Sequence, residues 1–242
     1  MSAPKPPRSP QAPAEIPAQE HTSLRMTYEE FLAWATEDVH AEWVDGEVVV
    51  QMPPKDPHQT LLEFLDRVIG FFVELFDLGR LRVVPFELRL SPDGPAREPD
   101  LMFLSKAHLD RLTPERIAGA PDLIIEIVSD DSVRRDRVDK FDEFEAAGVP
   151  EYWVIDNRPH RRQAFFYQLG PGGHYQRIAP DADGAYHSAI LPSFWLRVNW
   201  LWDTQPDVLR AMAEIIGPER VAQALRHAIE HPSSPRSPRS AE

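Results

Sequence analysis

The sequence contains no cysteine, and this absence excludes two kinds of structure. A disulfide framework and a zinc site built on thiolates both need that residue. The chain also has no apolar run that approaches the roughly 18 to 20 residues needed to cross a bilayer, and its first residues lack the apolar core of a signal peptide. We therefore expect a protein with no membrane partner that resides in the cytoplasm.

Positive charge is scarce as well. The chain has 26 Lys and Arg residues against 39 Asp and Glu residues, which gives a formal net charge of -13. Non-specific binding to nucleic acid is driven mainly by Lys and Arg side chains that displace counterions from phosphates. The composition therefore argues against a surface that coats itself with nucleic acid, although it leaves room for a local basic groove.

The 242 residues, of which 42% are hydrophobic, are enough for one domain with a sizeable core. Residues 1–23 are rich in Pro and Ala, and residues 231–242 carry two Ser-Pro-Arg repeats. Both segments have too few large apolar side chains to offset the conformational entropy that ordering would cost, so we predict disordered tails. Between them we predict one folded domain over residues 24–203 and peripheral helices over residues 204–230.

Local patterns predict alternating helices and strands. Thr27 and Glu30 form a capping box for a short helix, and Asp45-Gly46 indicates a hairpin. Apolar residues recur at helical spacing from His58 to about Leu78, where Gly79 is expected to close the helix. Extended segments are predicted at 80–90, 97–105, 121–129, 151–157, 163–169, 174–178 and 185–191, with a helix at about 133–147. The predicted fold is α/β (α+β mixed sheet): a central mixed β-sheet flanked by helices, with a hairpin region and C-terminal helices.

One extended segment, "PDLIIEIVSDDS", contains a carboxylate where none is expected. Alternation places Ile124, Glu126 and Val128 on one face of this strand, and both faces are otherwise apolar. An ionised Glu126 on a covered strand needs a counter-charge, a proton or a metal. Taken alone, Glu126 is better explained as a strand-end residue that reaches water or a single arginine.

Two further residues could share a site with Glu126. Asp100 starts an apolar strand, where a short side chain can project into a cleft, although an Asp before a strand is also a common turn residue. Lys140 falls inside the apolar arc of the helix predicted at 133–147, which either buries it or lets its stem snorkel to water. Two carboxylates from neighbouring strands suit Mg²⁺ or Mn²⁺, and a lysine beside them suits phosphodiester hydrolysis.

These motifs, in this order, resemble those of the PD-(D/E)XK superfamily of restriction-endonuclease-like nucleases, and more closely its Uma-type restriction endonuclease family. The stretches that carry the resemblance are "EWVDGEVVVQMPP", "REPDLMFL", "PDLIIEIVSDDS" and "FEAAGVPEYWVID". They cover roughly residues 25 to 203. The general superfamily pattern has its lysine two positions after the glutamate, where this chain has Val128. The resemblance implies that Lys140 takes that role from the following helix.

The resemblance implies a metal-dependent endonuclease that hydrolyses phosphodiester bonds, with DNA as the expected substrate. Asp100 and Glu126 would hold Mg²⁺ or Mn²⁺, and Lys140 would orient the attacking water. Glu42 would be a ligand or a water-orienting group, unless it is a surface residue. His58 is a candidate substrate contact, unless it only begins a helix after Pro57. Arg134 and Arg135 are candidate phosphate contacts, although a solvated helix start explains them at least as well. A homodimer, or a protein partner that supplies DNA contacts, would reconcile this activity with the acidic chain.

Two other functions stay open at the level of sequence. A catalytically silent nuclease fold that serves as a binding or regulatory module is favoured by Val128 and by the acidic balance, and opposed by the trio of Asp100, Glu126 and Lys140. A hydrolase that acts on small phosphodiesters would suit the acidity but has no supporting motif.

Overall fold

A computed structural model describes residues 24–36, 39–51, 53–128 and 139–230 of the chain. The two predicted tails, Arg134 and Arg135, and the first residues of the helix predicted from 133 lie outside the described residues. The tail and domain assignments therefore stay predictions.

The described part of the chain alternates between strands and helices. In chain order the elements are β1 (Leu24–Arg25), α1 (Tyr28–Trp34), β2 (Ala41–Val44), β3 (Glu47–Val50), α2 (Asp56–Leu75), β4 (Gly79–Val83), β5 (Glu87–Arg89), β6 (Ala96–Arg97), β7 (Leu101–Ser105), a 3₁₀ segment (Lys106–Arg111), β8 (Arg116–Ala118), β9 (Leu123–Ile127), α3 (Lys140–Ala146), β10 (Glu151–Asp156), β11 (Gln163–Leu169), β12 (Tyr175–Ile178), β13 (Ala185–His187), β14 (Trp195–Arg197), a second 3₁₀ segment (Val198–Trp202), α4 (Val208–Ile216) and α5 (Pro218–Glu230).

The central sheet has six strands in the order β12-β11-β10-β9-β7-β4. Strands β9 and β10 are parallel, with α3 between them in the chain, and the other neighbours pair antiparallel. The sheet is therefore mixed, as the sequence predicts. Because β9 and β10 run in the same direction, their carboxyl ends meet at one edge of the sheet.

Each face of the central sheet is covered by its own apolar core. Leu123, Ile125 and Ile127 of β9 pack with α2 and the C-terminal elements on one face. Ile124 and Val128 pack with Phe144 of α3 and with residues of β5 and β8 on the other. The alternation expected for this strand is confirmed, and Glu126 shares a face with Ile124 and Val128.

A second sheet of six short strands, the outer sheet, has the order β1-β3-β2-β6-β5-β8. It contains the predicted hairpin, with Asp45 (φ 49°) and Gly46 (φ 83°) both in the left-handed turn conformation. The Thr27 hydroxyl accepts from the Glu30 N–H and the Glu30 carboxylate accepts from the Thr27 N–H, which confirms the capping box at the start of α1.

The segment predicted as one extended piece over residues 80–90 forms two strands in two sheets. β4 joins the central sheet beside β7, and β5 joins the outer sheet between β6 and β8. Pro85 lies between them and has no N–H to continue a ladder, so the chain changes sheet at this point. Strands β8 and β14 were not predicted, because three residues are too few to show alternation.

Gly79 does not close the long helix, contrary to the sequence prediction. α2 ends at Leu75, and Gly79 is the first residue of β4, opposite Ser105 of β7. A Cβ at this position would lie 1.9 Å from the carbonyl oxygen of Leu104. Glycine is needed there because the backbones of two strands approach too closely for any side chain.

The described part of the chain ends in two helices, α4 and α5, separated by Gly217. α4 packs on α2 and α5 packs on α4. In the part of the chain that the structure describes, no helix combines the length and apolar character that a bilayer span requires.

Candidate active site

Asp100 and Glu126 lie at the ends of neighbouring antiparallel strands. Leu101 of β7 is opposite Ile125 of β9, so one further step along the same register sets Asp100 opposite Glu126. The Ile127 N–H donates to Asp100 Oδ2 over 2.6 Å, which fixes the Asp100 carboxylate at the end of β9. The two carboxylates that the sequence singles out thus share one sheet edge.

Lys140, the first residue of α3, reaches this edge from the face that Glu126 occupies. Its Nζ lies 2.6 Å from Glu126 Oε1 and 3.0 Å from Glu42 Oε1. Lys140 is 3% exposed, Glu126 4% and Glu42 0%. The lysine stem does not snorkel to water: the ammonium is held between two buried carboxylates, so the inward one of the two directions left open by the helical arc is observed.

Glu42 is not a surface residue, because both of its oxygens are engaged in the interior. Oε1 accepts from Lys140 and from the Glu98 N–H at 3.2 Å, and Oε2 accepts from Arg97 at 3.3 Å. Burial alone would raise the pKa of Glu42. The charges of Lys140 and Arg97 outweigh it and hold the pKa at about 2. Glu42 is therefore a fixed anion that ties β2 of the outer sheet to Lys140.

Arg97 links the same cluster to α3 by a second route. Its Nη2 and Nε donate to Glu143 Oε2 at 2.6 and 2.9 Å, while Nη1 contacts Glu42. Glu143 follows Lys140 by three residues, so both lie on one side of α3. Burial would lower the pKa of Arg97, but the two carboxylates raise it above its ordinary value. Arg97 and Glu143 were not predicted from the sequence. Their signals there are a basic residue directly before "EPD" and a carboxylate one helical turn after Lys140.

Glu98 is a further carboxylate that the sequence analysis missed, although it stands within "EPD". Its Oε2 is buried and has no hydrogen-bond partner among the described residues. Burial, with the negative charges of Glu42 and Glu87, raises the pKa of Glu98 to about 7. The site therefore contains one glutamate held ionised and another that protonates near neutrality.

His58 contacts the Asp100 carboxylate oxygen that β9 does not bind. Its Nε2 is 3.3 Å from Asp100 Oδ1, and both side chains are largely buried. His58 is placed there because α2 begins at Asp56 beside the end of the central sheet. The structure thus shows His58 in contact with a site carboxylate, while its contact with substrate stays a prediction, as do those of Arg134 and Arg135.

Within the ranges that the structure covers, no group of three or more His, Asp or Glu side chains has the arrangement of a metal centre. The donor chemistry nevertheless suits a hard divalent cation. Two carboxylates from adjacent strand ends and the carbonyl of Ile127 offer only oxygen, the ligand type that Mg²⁺ and Mn²⁺ prefer. Mg²⁺ also retains several waters, so few protein ligands suffice.

A mixed sheet with an Asp and a Glu at neighbouring strand ends and a lysine beside the Glu is the arrangement that the sequence predicted for a restriction-endonuclease-like fold. The comparison with solved structures agrees: the chain is similar to a protein from Anabaena variabilis described as "a putative nuclease belonging to DUF820". The TM-score is 0.60 at 19% identity, over 74% of this chain and 99% of that one. This likeness shows the fold.

The family model Uma2, described as "Putative restriction endonuclease", matches residues 28–199. The chain belongs to this family, and the family description assigns it to the endonucleases. The match contains every site residue named above from Glu42 to Glu143. A comparison with curated proteins finds no significant match.

Proposed function

We propose that the protein is a metal-dependent endonuclease that hydrolyses phosphodiester bonds in DNA. The observation that carries the proposal is the 2.6 Å contact between Lys140 Nζ and Glu126 Oε1, at the sheet edge where Asp100 also lies. A lysine buried against two carboxylates adds little net stability, because the desolvation of the three charges offsets their attraction. Its position supports a role in the chemistry of this edge.

In this proposal Asp100 and Glu126 hold Mg²⁺ or Mn²⁺. The cation would supply Lewis-acid polarisation of the phosphoryl group and lower the pKa of a bound water. Lys140 orients Glu126 and places positive charge beside the phosphoryl oxygen that gains charge during attack. Glu42 acts through Lys140, because its two oxygens are already occupied by Lys140, Arg97 and the Glu98 N–H.

His58 is proposed as a residue that positions Asp100. With Asp100 Oδ2 held by the Ile127 N–H and Oδ1 beside His58 Nε2, the carboxylate is fixed at both oxygens. A carboxylate that is restrained by outer neighbours presents its remaining lone pairs in one direction, as metal ligands commonly do. The homodimer, the protein partner and the cytoplasmic location predicted from the sequence stay predictions.

The test is cleavage of supercoiled plasmid, single-stranded DNA and RNA in Mg²⁺, Mn²⁺ or EDTA. We expect cation-dependent cleavage of DNA, and a loss of at least about 100-fold for Asp100→Asn, Glu126→Gln and Lys140→Met. Asp110→Asn is the matched control, since Asp110 is exposed on the 3₁₀ segment after β7, and it should cleave like the wild type.

Calorimetric titration with Mn²⁺ in the absence of DNA separates the alternatives. Cleavage that persists undiminished in all three site variants would refute the residue assignment. Absence of cleavage on every substrate, together with no Mn²⁺ binding, would favour the catalytically silent binding module.

A further inference from the structure

The loop that follows β10 leaves the central sheet at the same edge as the candidate active site. β10 is parallel to β9, with Val154 opposite Glu126 and Ile155 opposite Ile127. The Val128 N–H donates to the Ile155 carbonyl at 2.8 Å, so the two strands remain paired up to their carboxyl ends. Residues 157–162, here called the β10 loop, therefore begin beside the end of the strand that carries Glu126.

A side-chain contact also ties this loop to the first turn of α2. Asn157 Nδ2 donates to the Pro57 carbonyl at 2.7 Å. Pro57 directly precedes His58, whose Nε2 is 3.3 Å from Asp100 Oδ1. The β10 loop is thus joined to the surroundings of Glu126 through the sheet and to those of Asp100 through the first turn of α2.

The β10 loop is basic in a strongly acidic chain. Its sequence is Asn-Arg-Pro-His-Arg-Arg, which contains three arginines and a histidine and no carboxylate, while the chain as a whole has a net charge of -13. Fields from distant surface charges are screened within about 8 Å at physiological salt. A bound polyanion at the site would therefore respond to this local positive charge more than to the net charge of the protein.

The three arginines differ in what they are free to contact. Arg158 forms a two-point ion pair with the buried Asp156, with Nε to Oδ1 and Nη2 to Oδ2 both at 2.8 Å. Its carbonyl accepts from the Arg161 N–H at 3.0 Å, which closes a turn through His160 in the left-handed conformation. Arg158 therefore shapes the loop, and its charge is balanced.

Arg161 and Arg162 are exposed, and neither forms an ion pair with any carboxylate among the described residues. We infer that the β10 loop is the surface on which the DNA backbone lies, with the Arg161 and Arg162 guanidinium groups on phosphates that flank the cleaved one. Guanidinium groups bind phosphate oxygens through paired N–H donors, and such contacts position a duplex without reading its sequence. The inference rests on the proposed function, since it assumes that DNA is the substrate of this edge.

The experiment measures binding of a labelled DNA duplex by fluorescence anisotropy in Ca²⁺, as a function of salt. Each phosphate contact contributes about 0.9 to the slope of log K against log[salt], so Arg161→Gln/Arg162→Gln should lower the slope by about 2. From the same slope, affinity should fall by about tenfold per arginine at about 0.1 M salt. The charge-retaining variant Arg161→Lys/Arg162→Lys should keep the slope of the wild type.

Arg220→Gln/Arg226→Gln is the matched control. It removes the same two charges from exposed positions of α5, a helix that packs mainly on α4. We expect this variant to bind with an unchanged slope. An equal loss of slope in both double variants would overturn the inference, because it would show that only net charge matters; so would a wild-type slope for Arg161→Gln/Arg162→Gln.

Plasmid cleavage by the wild type in Mg²⁺ or Mn²⁺, measured beside the binding, distinguishes failure of this inference from failure of the proposed function. If the wild type cleaves DNA but the arginine pair does not affect binding, the β10 loop is the wrong surface and the proposed function stands. If binding depends on the arginine pair and no cleavage occurs under any cation, the surface stands and the proposed function fails.

Discussion

Removal of the Lys140 charge should destabilise the protein through the two carboxylates that it leaves behind. Lys140→Met keeps most of the side-chain length and deletes the ammonium that lies 2.6 Å from Glu126 and 3.0 Å from Glu42. Because all three side chains are at least 95% buried, water cannot replace the lost partner. Breaking a buried ion pair from one side typically costs about 3 to 5 kcal/mol, and we expect a loss of that size.

We also expect that adding Glu126→Gln recovers part of the free energy of unfolding that Lys140→Met loses. In the double variant an uncharged amide replaces the Glu126 carboxylate, while Glu42 keeps Arg97 and the Glu98 N–H as partners. The double variant should therefore be more stable than the sum of the two single losses, with a coupling energy of about 1 to 3 kcal/mol. The coupling is favourable because Glu126→Gln removes one of the two buried carboxylates that Lys140→Met leaves without an ammonium. This holds whatever the catalytic role of the residues.

The assay is urea unfolding in EDTA at neutral pH, with the free energy of unfolding extrapolated for the wild type, both single variants and the double variant. Lys106→Met is the control: Lys106 pairs with Asp77, but their side chains are 56% and 74% exposed. Exposed pairs contribute less than about 1 kcal/mol. If the two site substitutions add without coupling, or if Lys140→Met costs no more than Lys106→Met, the buried-cluster reasoning is refuted.

Two further predictions concern the same framework. The pKa of Glu42 is held at about 2 against an ordinary value of 4.5. The ionised Glu42 therefore contributes about 3 kcal/mol to the free energy of unfolding, which is complete above pH 4.5 and is lost as the pH falls towards 2. In an acid titration followed by circular dichroism, the stability of Glu42→Gln should fall less steeply over that window than the stability of the wild type. Gly79→Ala should cost at least about 2 kcal/mol in thermal unfolding, since its Cβ would lie 1.9 Å from the Leu104 carbonyl oxygen, whereas Gly172→Ala, with no atom within 4 Å, should be near neutral. A Gly79→Ala protein as stable as the wild type would contradict the close approach of β4 and β7.

Features set by local periodicity could be predicted from the sequence. The capping box at Thr27, the turn at Asp45-Gly46 and the two-sided burial of β9 each depend on residues within a few positions of one another. The inward direction of Lys140 was also accessible, because a helical arc is a local property. The fold class followed from the sum of such patterns.

Features that depend on distant partners could not be predicted. Arg97 meets Glu42 across 55 residues and Glu143 across 46, and no spacing rule relates such positions. The division of residues 80–90 between two sheets was missed because strand pairing, and not periodicity, decides which sheet a segment joins. Gly79 was misassigned for a related reason: its role comes from Leu104 in another strand.

In the proposed function, a helix replaces a strand in supplying the lysine of this site. Val128 stands where the general superfamily pattern has that lysine, and it is buried in the apolar core on the α3 face, among neighbours that a charge would not suit. With the lysine on α3, its placement depends on how that helix is anchored. The Glu143–Arg97 ion pair at 2.6 Å and the edge contact of Phe144 with Tyr152, with ring centroids 5.1 Å apart, supply the anchor. Arg97 therefore belongs to the candidate site through the helix that it holds, and its substitution should displace Lys140 without removing any of the groups proposed to act on the phosphodiester.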